Sequence, residues 1–328
     1  MKNKRLQILV PHYKETDDII KPLLDSIEVQ QNIDLRNDIG VIIVNDGTDV
    51  RISQELLNRY SFPIEYHLAE HGGVSATRNK CLDYATADYV MFCDADDMFF
   101  NACGMYIIFR EIENGGFDSL TSAFVEEVHI PQTNEVFYLN HDIDSTFVHG
   151  KVHRRQFLID NNIRWNEKLT IHEDSYFNCL CQRLAQELKY SQTAFYLWKW
   201  RDASVCRHDP KYILKTYNNM LDSNDALVTQ FLDRGNTYDA TFYAVSMIYD
   251  AYFTMNKDEW LNQENKEYRY ATECRFKDYW TKYKCLHDSI PAADKAQIIM
   301  GIKNRMYTEG MVLETLTFNE WIKQVEEM

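Results

Sequence analysis

Asp94, Asp96 and Asp97 place three carboxylates within four residues, directly after the apolar run from Tyr89 to Cys93. The run is typical of a buried strand. Carboxylates this close repel one another unless a positive charge lies between them. At the carboxyl end of a strand in an α/β sheet, that charge is usually a divalent cation carrying a phosphorylated ligand. The ten residues alone also fit an acidic turn whose side chains point into water.

The chain around this motif alternates between strand and helix patterns. Strands are predicted at 5–10, 39–44, 63–68 and 89–93. Helices are predicted after Asp17 and Asp18, at 50–60 and at 74–86. We expect Pro11 to stop the first strand and Pro22 to limit where the first helix becomes regular. Alternation at this spacing predicts right-handed crossovers and a parallel sheet.

The rest of the chain shows two further patterns, a mixture of helices and strands up to residue 200 and helices alone beyond Pro210. A helix is predicted at 101–114, a hairpin from 119–130 and the following VFYL run, helices at 154–161 and 173–187, and a strand at 194–200. Beyond Pro210 the helical segments 211–234, 237–256, 258–284, 291–308 and 317–327 contain few Gly or Pro residues. We therefore predict an α/β domain over 1–208, divided into halves 1–100 and 101–208, and a helical domain over 209–328.

Composition narrows the class of protein. A net charge of −15 and a pI near 5.1 disfavour nonspecific nucleic-acid binding, although a local basic groove stays compatible with them. The N-terminus has only a five-residue apolar run before Pro11 and no stretch reaches the ~20 apolar residues of a membrane helix, so we expect a soluble, cytoplasmic protein. Eight cysteines without a CxxC pair predict reduced thiols rather than a zinc site.

Each predicted strand of the first half ends in a polar, turn-forming loop. These loops are VPHYKE (10–15), VNDGT (44–48), EHGGVSATRN (70–79) and DADD (94–97). Because the carboxyl ends of parallel strands meet at one edge of a sheet, the four loops can line a single pocket. That convergence favours a binding site over an isolated acidic turn.

The order and spacing of these motifs resemble the family-two glycosyltransferases of the GT-A fold over about residues 5–208. The matching positions are Pro11, Tyr13 and Glu15, then Asn45-Asp46-Gly47-Thr48, then Gly73, Ser75, Arg78 and Asn79, then Asp94-Ala95-Asp96-Asp97, and finally segments 149–167 and 172–178. The resemblance implies a nucleotide-sugar donor site followed by an acceptor side. The helical remainder has no counterpart in it.

The resemblance also assigns the donor side of the site. Pro11, Tyr13, Glu15, Gly73 and Ala95 would belong to the donor pocket, and Gly73 stands at a helix N-terminus, which favours anions. It implies that Asp46 accepts a hydrogen bond from N3–H of uracil, whereas Asn45 departs from the more usual acid. Arg78 would contact either the nucleotide or only the acidic loops. His149 and Lys151 would face the acceptor or the diphosphate, or merely pack in their loop.

The same resemblance implies a metal site and a catalytic base. Asp94 would contact ribose or sugar, while Asp96 and Asp97 would bind Mn²⁺ or Mg²⁺, and His208 would complete the metal shell. Asp174 would be the base of an inverting transfer, with Glu173 orienting the acceptor. Both acids also fit the first turn of a helix, where the helix dipole favours negative charge.

The sequence therefore predicts an inverting, metal-dependent glycosyltransferase that uses a UDP-sugar. The acceptor could be a glycan, a wall polymer, a protein or a modified DNA base. A nucleotidyltransferase is disfavoured because VPHYKET replaces the Gly-rich loop expected after the first strand, whereas a non-catalytic glycan-binding descendant stays open. We expect the C-terminal aromatic residues to form a core or a homo-oligomer interface rather than to stack on sugars.

Overall fold

The computed structural model describes residues 5–130, 133, 135–142, 144, 146–201, 211–308 and 316–328. The chain divides into two compact units, Met1–Val205 and Cys206–Met328. Across the described ranges, no helix combines the length and the apolarity needed to cross a membrane. The cysteines in these ranges are all free thiols.

The described part of the first unit contains one nine-stranded sheet in the order β3-β2-β1-β4-β8-β6-β9-β5, with β7 paired to β6. The strands are β1 Leu6–His12, β2 Ile39–Asp46, β3 Ile64–Ala69, β4 Tyr89–Phe92, β5 Met98–Phe99, β6 Ser119–Ile130, β7 Glu135–His141, β8 Lys151–Arg154 and β9 Leu188–Trp198. Strands β1 to β4 pair in parallel, as predicted, and the pairs β4–β8, β8–β6, β6–β7 and β5–β9 are antiparallel.

Seven helices accompany these strands in the described part of the first unit. They are α1 Asp17–Glu28, α2 Leu35–Asp38, α3 Gln54–Leu57, α4 Val74–Tyr84, α5 Gly104–Glu113, α6 Arg155–Asp160 and α7 Glu173–Leu184. The apolar face of α1 and the central strands share one buried core. The result is the predicted α/β architecture, with the carboxyl ends of β1, β2 and β4 on one edge.

Both expectations about proline were wrong. Pro11 lies inside β1, opposite Val44 of β2, because its fixed φ suits an extended chain near the end of a strand. Pro22 lies inside α1, which already begins at Asp17. A proline there removes only one helical hydrogen bond, and the buried face of α1 outweighs that loss.

The second half of the sheet was predicted less completely. The hairpin exists as β6 and β7, and β9 extends over more residues than the predicted strand. The short strands β5 and β8 were missed, since two and four residues carry no readable periodicity. Strand β8 joins the parallel strands β1 to β4 to the second half of the sheet, with Met91 opposite Val152, and in that mixed second half β6 and β9 pair in parallel.

The described part of the second unit is helical, as expected. Its helices are α8 Tyr212–Asp233, α9 Thr237–Met255, α10 Asp258–Leu261, α11 Lys266–Ser289, α12 Ala292–Thr308 and α13 Phe318–Glu327. Most of the aromatic residues noted in the sequence are core residues here, with Trp260 and Tyr279 fully buried. Tyr238 and Tyr270 are not core residues, since 77% and 60% of them are exposed, and Tyr268 is partly buried.

Candidate active site

A cavity of about 340 Å³ opens where the carboxyl ends of β1, β2 and β4 meet the start of α4. Most residues predicted for the donor side line it, together with one predicted metal ligand: Pro11, Tyr13, Glu15, Asp46, Gly73, Arg78, Asp94, Ala95 and Asp96. His12, His71, Val74 and Thr77 line it as well. The four polar loops therefore converge on one cavity.

Asp46 holds its carboxylate against the loop that precedes α4. Gly72 N–H donates to Oδ1 at 2.8 Å, Gly73 N–H donates to Oδ2 at 3.1 Å, and His71 Nδ1 lies 3.0 Å from Oδ2. Gly47 permits this close approach, because its φ is +69° and a Cβ there would lie 2.5 Å from the backbone nitrogen of His71. The carboxylate is thus fixed in orientation and keeps acceptor capacity for a further donor.

Asn45 is fully buried and acts within the protein. Its Nδ2 donates to the Val50 carbonyl at 2.8 Å and to His12 Nδ1 at 3.1 Å, while its Oδ1 accepts from Thr48 N–H at 3.0 Å. His12 then carries its proton on Nε2 and donates to the Glu15 carbonyl at 2.7 Å. An aspartate could not donate these bonds, which explains the departure from the more usual acid.

Tyr13 and Glu15 form the outer wall of the cavity. Tyr13 is 41% exposed and stacks on His71, with ring centroids 5.3 Å apart. The Glu15 carboxylate accepts from Tyr13 N–H at 2.9 Å. This bond fixes the loop after β1 so that an aromatic face lies beside the cavity.

Arg78 links the donor side to α7. Its guanidinium donates to Asp94 Oδ1 and to Glu173 Oε1, each at 2.9 Å, and lies over the Trp165 ring at 4.5 Å. Only 4% of Arg78 is exposed, so its pair with the largely buried Glu173 is shielded from water, whereas the Asp94 side chain is 34% exposed. The Glu173 carboxylate is therefore held by Arg78, whereas the resemblance had implied that it orients the acceptor.

Asp94, Asp97 and His149 form a cluster whose ligand atoms all lie within 4.8 Å of one another. Tyr196 Oη donates to Asp97 at 2.5 Å, and Lys199 N–H donates to it at 3.0 Å. Burial, reinforced by the charges of Asp96 and Asp94, raises the pKa of Asp97 well above its ordinary value. Carboxylate and imidazole ligands in this arrangement suit a divalent cation such as Mn²⁺.

Asp96, which was predicted to bind the metal, contacts the guanidinium of Arg201. Arg201 Nη1 donates to Asp96 Oδ2 at 2.8 Å and lies 3.4 Å from Glu15 Oε1. Burial and the charge of Asp94 raise the pKa of Asp96, which Arg201 opposes. The predicted partner in the metal shell, His208, lies outside the described residues.

Asp174 and Glu173 begin α7 directly after His172, whose φ of +62° is in the left-handed region. Asp174 Oδ1 accepts from the Ser175 N–H at 2.8 Å. Burial raises the pKa of Asp174 to about 7, with a further contribution from the charge of Glu173. A carboxylate with this pKa can accept a proton near neutral pH.

Lys151 does not face the cavity. It is 2% exposed, and its Nζ donates to the Phe147 carbonyl. Burial lowers its pKa to about 8, which Asp144 and Asp174 oppose. The ammonium instead holds the loop that precedes β8.

Asn79 ties α4 to the segment that leads to α7. Its Nδ2 donates to the Trp165 carbonyl at 3.0 Å and to Glu167 at 2.9 Å, and its Oδ1 accepts from Trp165 N–H at 2.9 Å. Asn79→Ala leaves a buried donor and acceptor unpaired, and we expect a loss of about 2–3 kcal/mol in the free energy of unfolding by urea. The exposed neighbour provides a control, since Lys80→Ala should change it by less than about 0.5 kcal/mol. Equal stability of the two variants would contradict this role.

Several residues of the site were missed or left without a clear role in the sequence. His71, Tyr196 and Arg201 were given no role in the sequence analysis, and His149 was expected to face the acceptor or the diphosphate, or to pack in its loop, rather than to join the acids of the cluster. The signal for His71 was present, since it directly precedes Gly72 and Gly73 in the third polar loop. Tyr196 and Arg201 come from the end of β9 and the following residues, about a hundred positions after the acids that they contact.

The sequence profile of Glycosyl transferase family 2 matches residues 7–164. The uncharacterized glycosyltransferase EpsJ of Bacillus subtilis is 26% identical over 215 residues, 59% of this chain and 60% of that protein. The glycosyltransferase TarS of Staphylococcus aureus, named as a poly(ribitol-phosphate) beta-N-acetylglucosaminyltransferase, is 26% identical over 197 residues, 53% of this chain and 31% of that protein. The chain thus spans less than two thirds of the length of these relatives.

Solved structures show the same fold. Residues 1–349 of S. aureus TarS, in complex with UDP-GlcNAc, align with a TM-score of 0.63 and 18% identity, covering 94% of this chain and 93% of that one. The complex of the same protein with UDP aligns with a TM-score of 0.62 and 17% identity, over the same shares of both chains. The profile match and this GT-A fold agree on one assignment: residues 7–164 form a glycosyl transferase family 2 domain.

Proposed function

We propose that the chain is an inverting glycosyltransferase that moves a sugar from a UDP-sugar to an acceptor hydroxyl, with Mn²⁺ or Mg²⁺ bound. The observation that carries this proposal is the cavity lined by four strand-end loops, whose lining includes both Asp46 and Asp94. TarS, which shares this fold, has been solved with UDP and with UDP-GlcNAc, and this supports a uridine nucleotide as the donor.

The chain's own residues supply recognition and proton transfer in this proposal. Asp46 accepts from N3–H of uracil, Tyr13 and His71 offer an aromatic wall for the nucleoside, and the α4 N-terminus at Gly73 favours the diphosphate. Asp174 takes the proton of the acceptor hydroxyl as that oxygen attacks the anomeric carbon from the face opposite the departing UDP. Attack from that face inverts the anomeric configuration.

The proposed cation ligands are Asp94, Asp97 and His149, with Asp96 beside them. Their fit rests on the cluster itself, in which the partly exposed Asp94 lies close to the buried Asp97 and the pKa of Asp97 is raised, so that negative charge there is costly without a cation. A divalent cation bound there would offset the charge that develops on the departing diphosphate. Asp96 can bind the cation through Oδ2 only after the hydrogen bond from Arg201 to that atom breaks.

UDP release from a panel of UDP-sugars, measured without acceptor, tests this proposal. We expect slow hydrolysis of at least one donor in Mn²⁺, a loss of at least about tenfold after EDTA, and recovery when Mn²⁺ is restored. The far-ultraviolet circular dichroism spectrum should not change with EDTA. A folded protein that releases no UDP from any donor, with either metal, would favour the non-catalytic alternative.

A further inference from the structure

Phe147 is a surface residue whose backbone is held like that of a core residue. Although 37% of it is exposed, its N–H donates to Asp144 Oδ1 at 2.8 Å. Its carbonyl accepts from Lys151 Nζ and from Asn178 Nδ2, the latter at 3.0 Å. Lys151 and Asn178 are 2% and 1% exposed. Two buried side chains thus fix one exposed aromatic residue, and this is how rigid binding sites are supported.

Phe147 contacts the acid cluster through its ring and the helix of the proposed base through its carbonyl, which accepts from Asn178 of α7. It stacks on His149 at 5.4 Å with an interplanar angle of 13°, and His149 Nε2 is 3.9 Å from Asp97 Oδ2. Asn178 lies four residues after Asp174 on α7, so the two side chains project from the same face of that helix. Phe147 is therefore connected to both the acid cluster and the helix that carries Asp174.

We propose that the acceptor is a sugar in its ring form and that this ring stacks on Phe147. The inference rests on the proposed function and specifies its acceptor. A pyranose presents a face of C–H groups that packs on an aromatic ring, and a fixed phenyl ring loses little conformational freedom on binding. A linear polyol phosphate or the short hydroxyl side chain of serine or threonine has no comparable face. Phe147 thus selects cyclic acceptors and orients one hydroxyl toward Asp174.

Saturation-transfer NMR on the full chain with UDP and Mn²⁺ tests this assignment, with methyl pyranosides of glucose, galactose and N-acetylglucosamine and with poly(ribitol phosphate) as probes. The wild-type protein should saturate the C–H protons of at least one pyranoside. Phe147→Ala and Phe147→Leu should weaken that binding about tenfold, whereas Phe147→Tyr should preserve it. Phe137→Ala is the matched control, because Phe137 on β7 is 45% exposed and should leave binding unchanged.

Two results would overturn the inference: binding of poly(ribitol phosphate) without any pyranoside, or an unchanged pyranoside affinity in folded Phe147→Ala. A wild-type protein that binds none of the probes counts against it as well. UDP release separates this failure from that of the proposed function. If the wild-type protein hydrolyses a UDP-sugar while Phe147→Ala changes no acceptor affinity, only the acceptor assignment is wrong.

Discussion

Asp174→Asn is expected to reduce sugar transfer by about a thousandfold and to leave the binding of UDP with Mn²⁺ unchanged. An asparagine has the same shape, and its Oδ1 can still accept from Ser175 N–H, so α7 should begin in the same way. What the amide cannot do is take a proton from an acceptor hydroxyl. The loss should therefore fall on the rate of transfer and not on donor affinity.

Single-turnover transfer and calorimetric titration with UDP and Mn²⁺ measure these two quantities separately. Asp160→Asn is the control, because Asp160 is an exposed acid at the end of α6, away from the cavity. It should transfer at the wild-type rate. Near-wild-type turnover of Asp174→Asn would rule out its role as the base.

The pH dependence of transfer follows from the same carboxylate. Because the pKa of Asp174 is raised to about 7, the base is protonated below that pH, and the rate should fall about tenfold for each further unit of acidity. The charge of Glu173 contributes to this shift. Glu173→Gln should therefore move the acidic limb of the profile to lower pH. A limb that stays in place would mean that another group titrates.

The parallel half of the site was predictable because its signals are local. Each of the four loops follows directly on an apolar strand, and topology then brings Pro11, Asp46, Gly73 and Asp94 to one edge. The start of α7 at Glu173 was likewise marked by acids in the first turn of a helical pattern. Neighbouring residues along the chain were sufficient for these predictions.

The pairing of charges was not predictable, since it depends on contacts between distant segments. Which carboxylate Arg78 contacts, and that Arg201 reaches Asp96, follow from the packing of α7 and β9 against the parallel half. The burial of Lys151 had the same origin, because β8 is too short to show which side of it faces inward. The sequence identified the acids of the site and the cation Arg78, but neither the exact partners of Arg78 nor the contact of Arg201 with Asp96.

Asp94→Asn is expected to lower the Mn²⁺-dependent affinity for UDP by about a hundredfold. Asp94 is the most accessible member of the cluster with Asp97 and His149, and its side chain is 34% exposed where it lines the cavity. Asparagine can still accept the hydrogen bond from Arg78. The substitution thus removes one negative charge from the proposed cation site while keeping its shape.

A binding role and a structural role of Asp94 predict different unfolding curves. Without metal, loss of the ion pair with Arg78 and relief of repulsion with Asp97 oppose each other, so the free energy of unfolding should stay within about 1 kcal/mol of wild type. With Mn²⁺ and UDP, ligand binding should stabilise the wild-type protein but not the variant. Asp88 is an exposed residue directly before β4, so Asp88→Asn should behave as wild type in both conditions. Equal stabilisation of Asp94→Asn and wild type by Mn²⁺ and UDP would place the cation elsewhere.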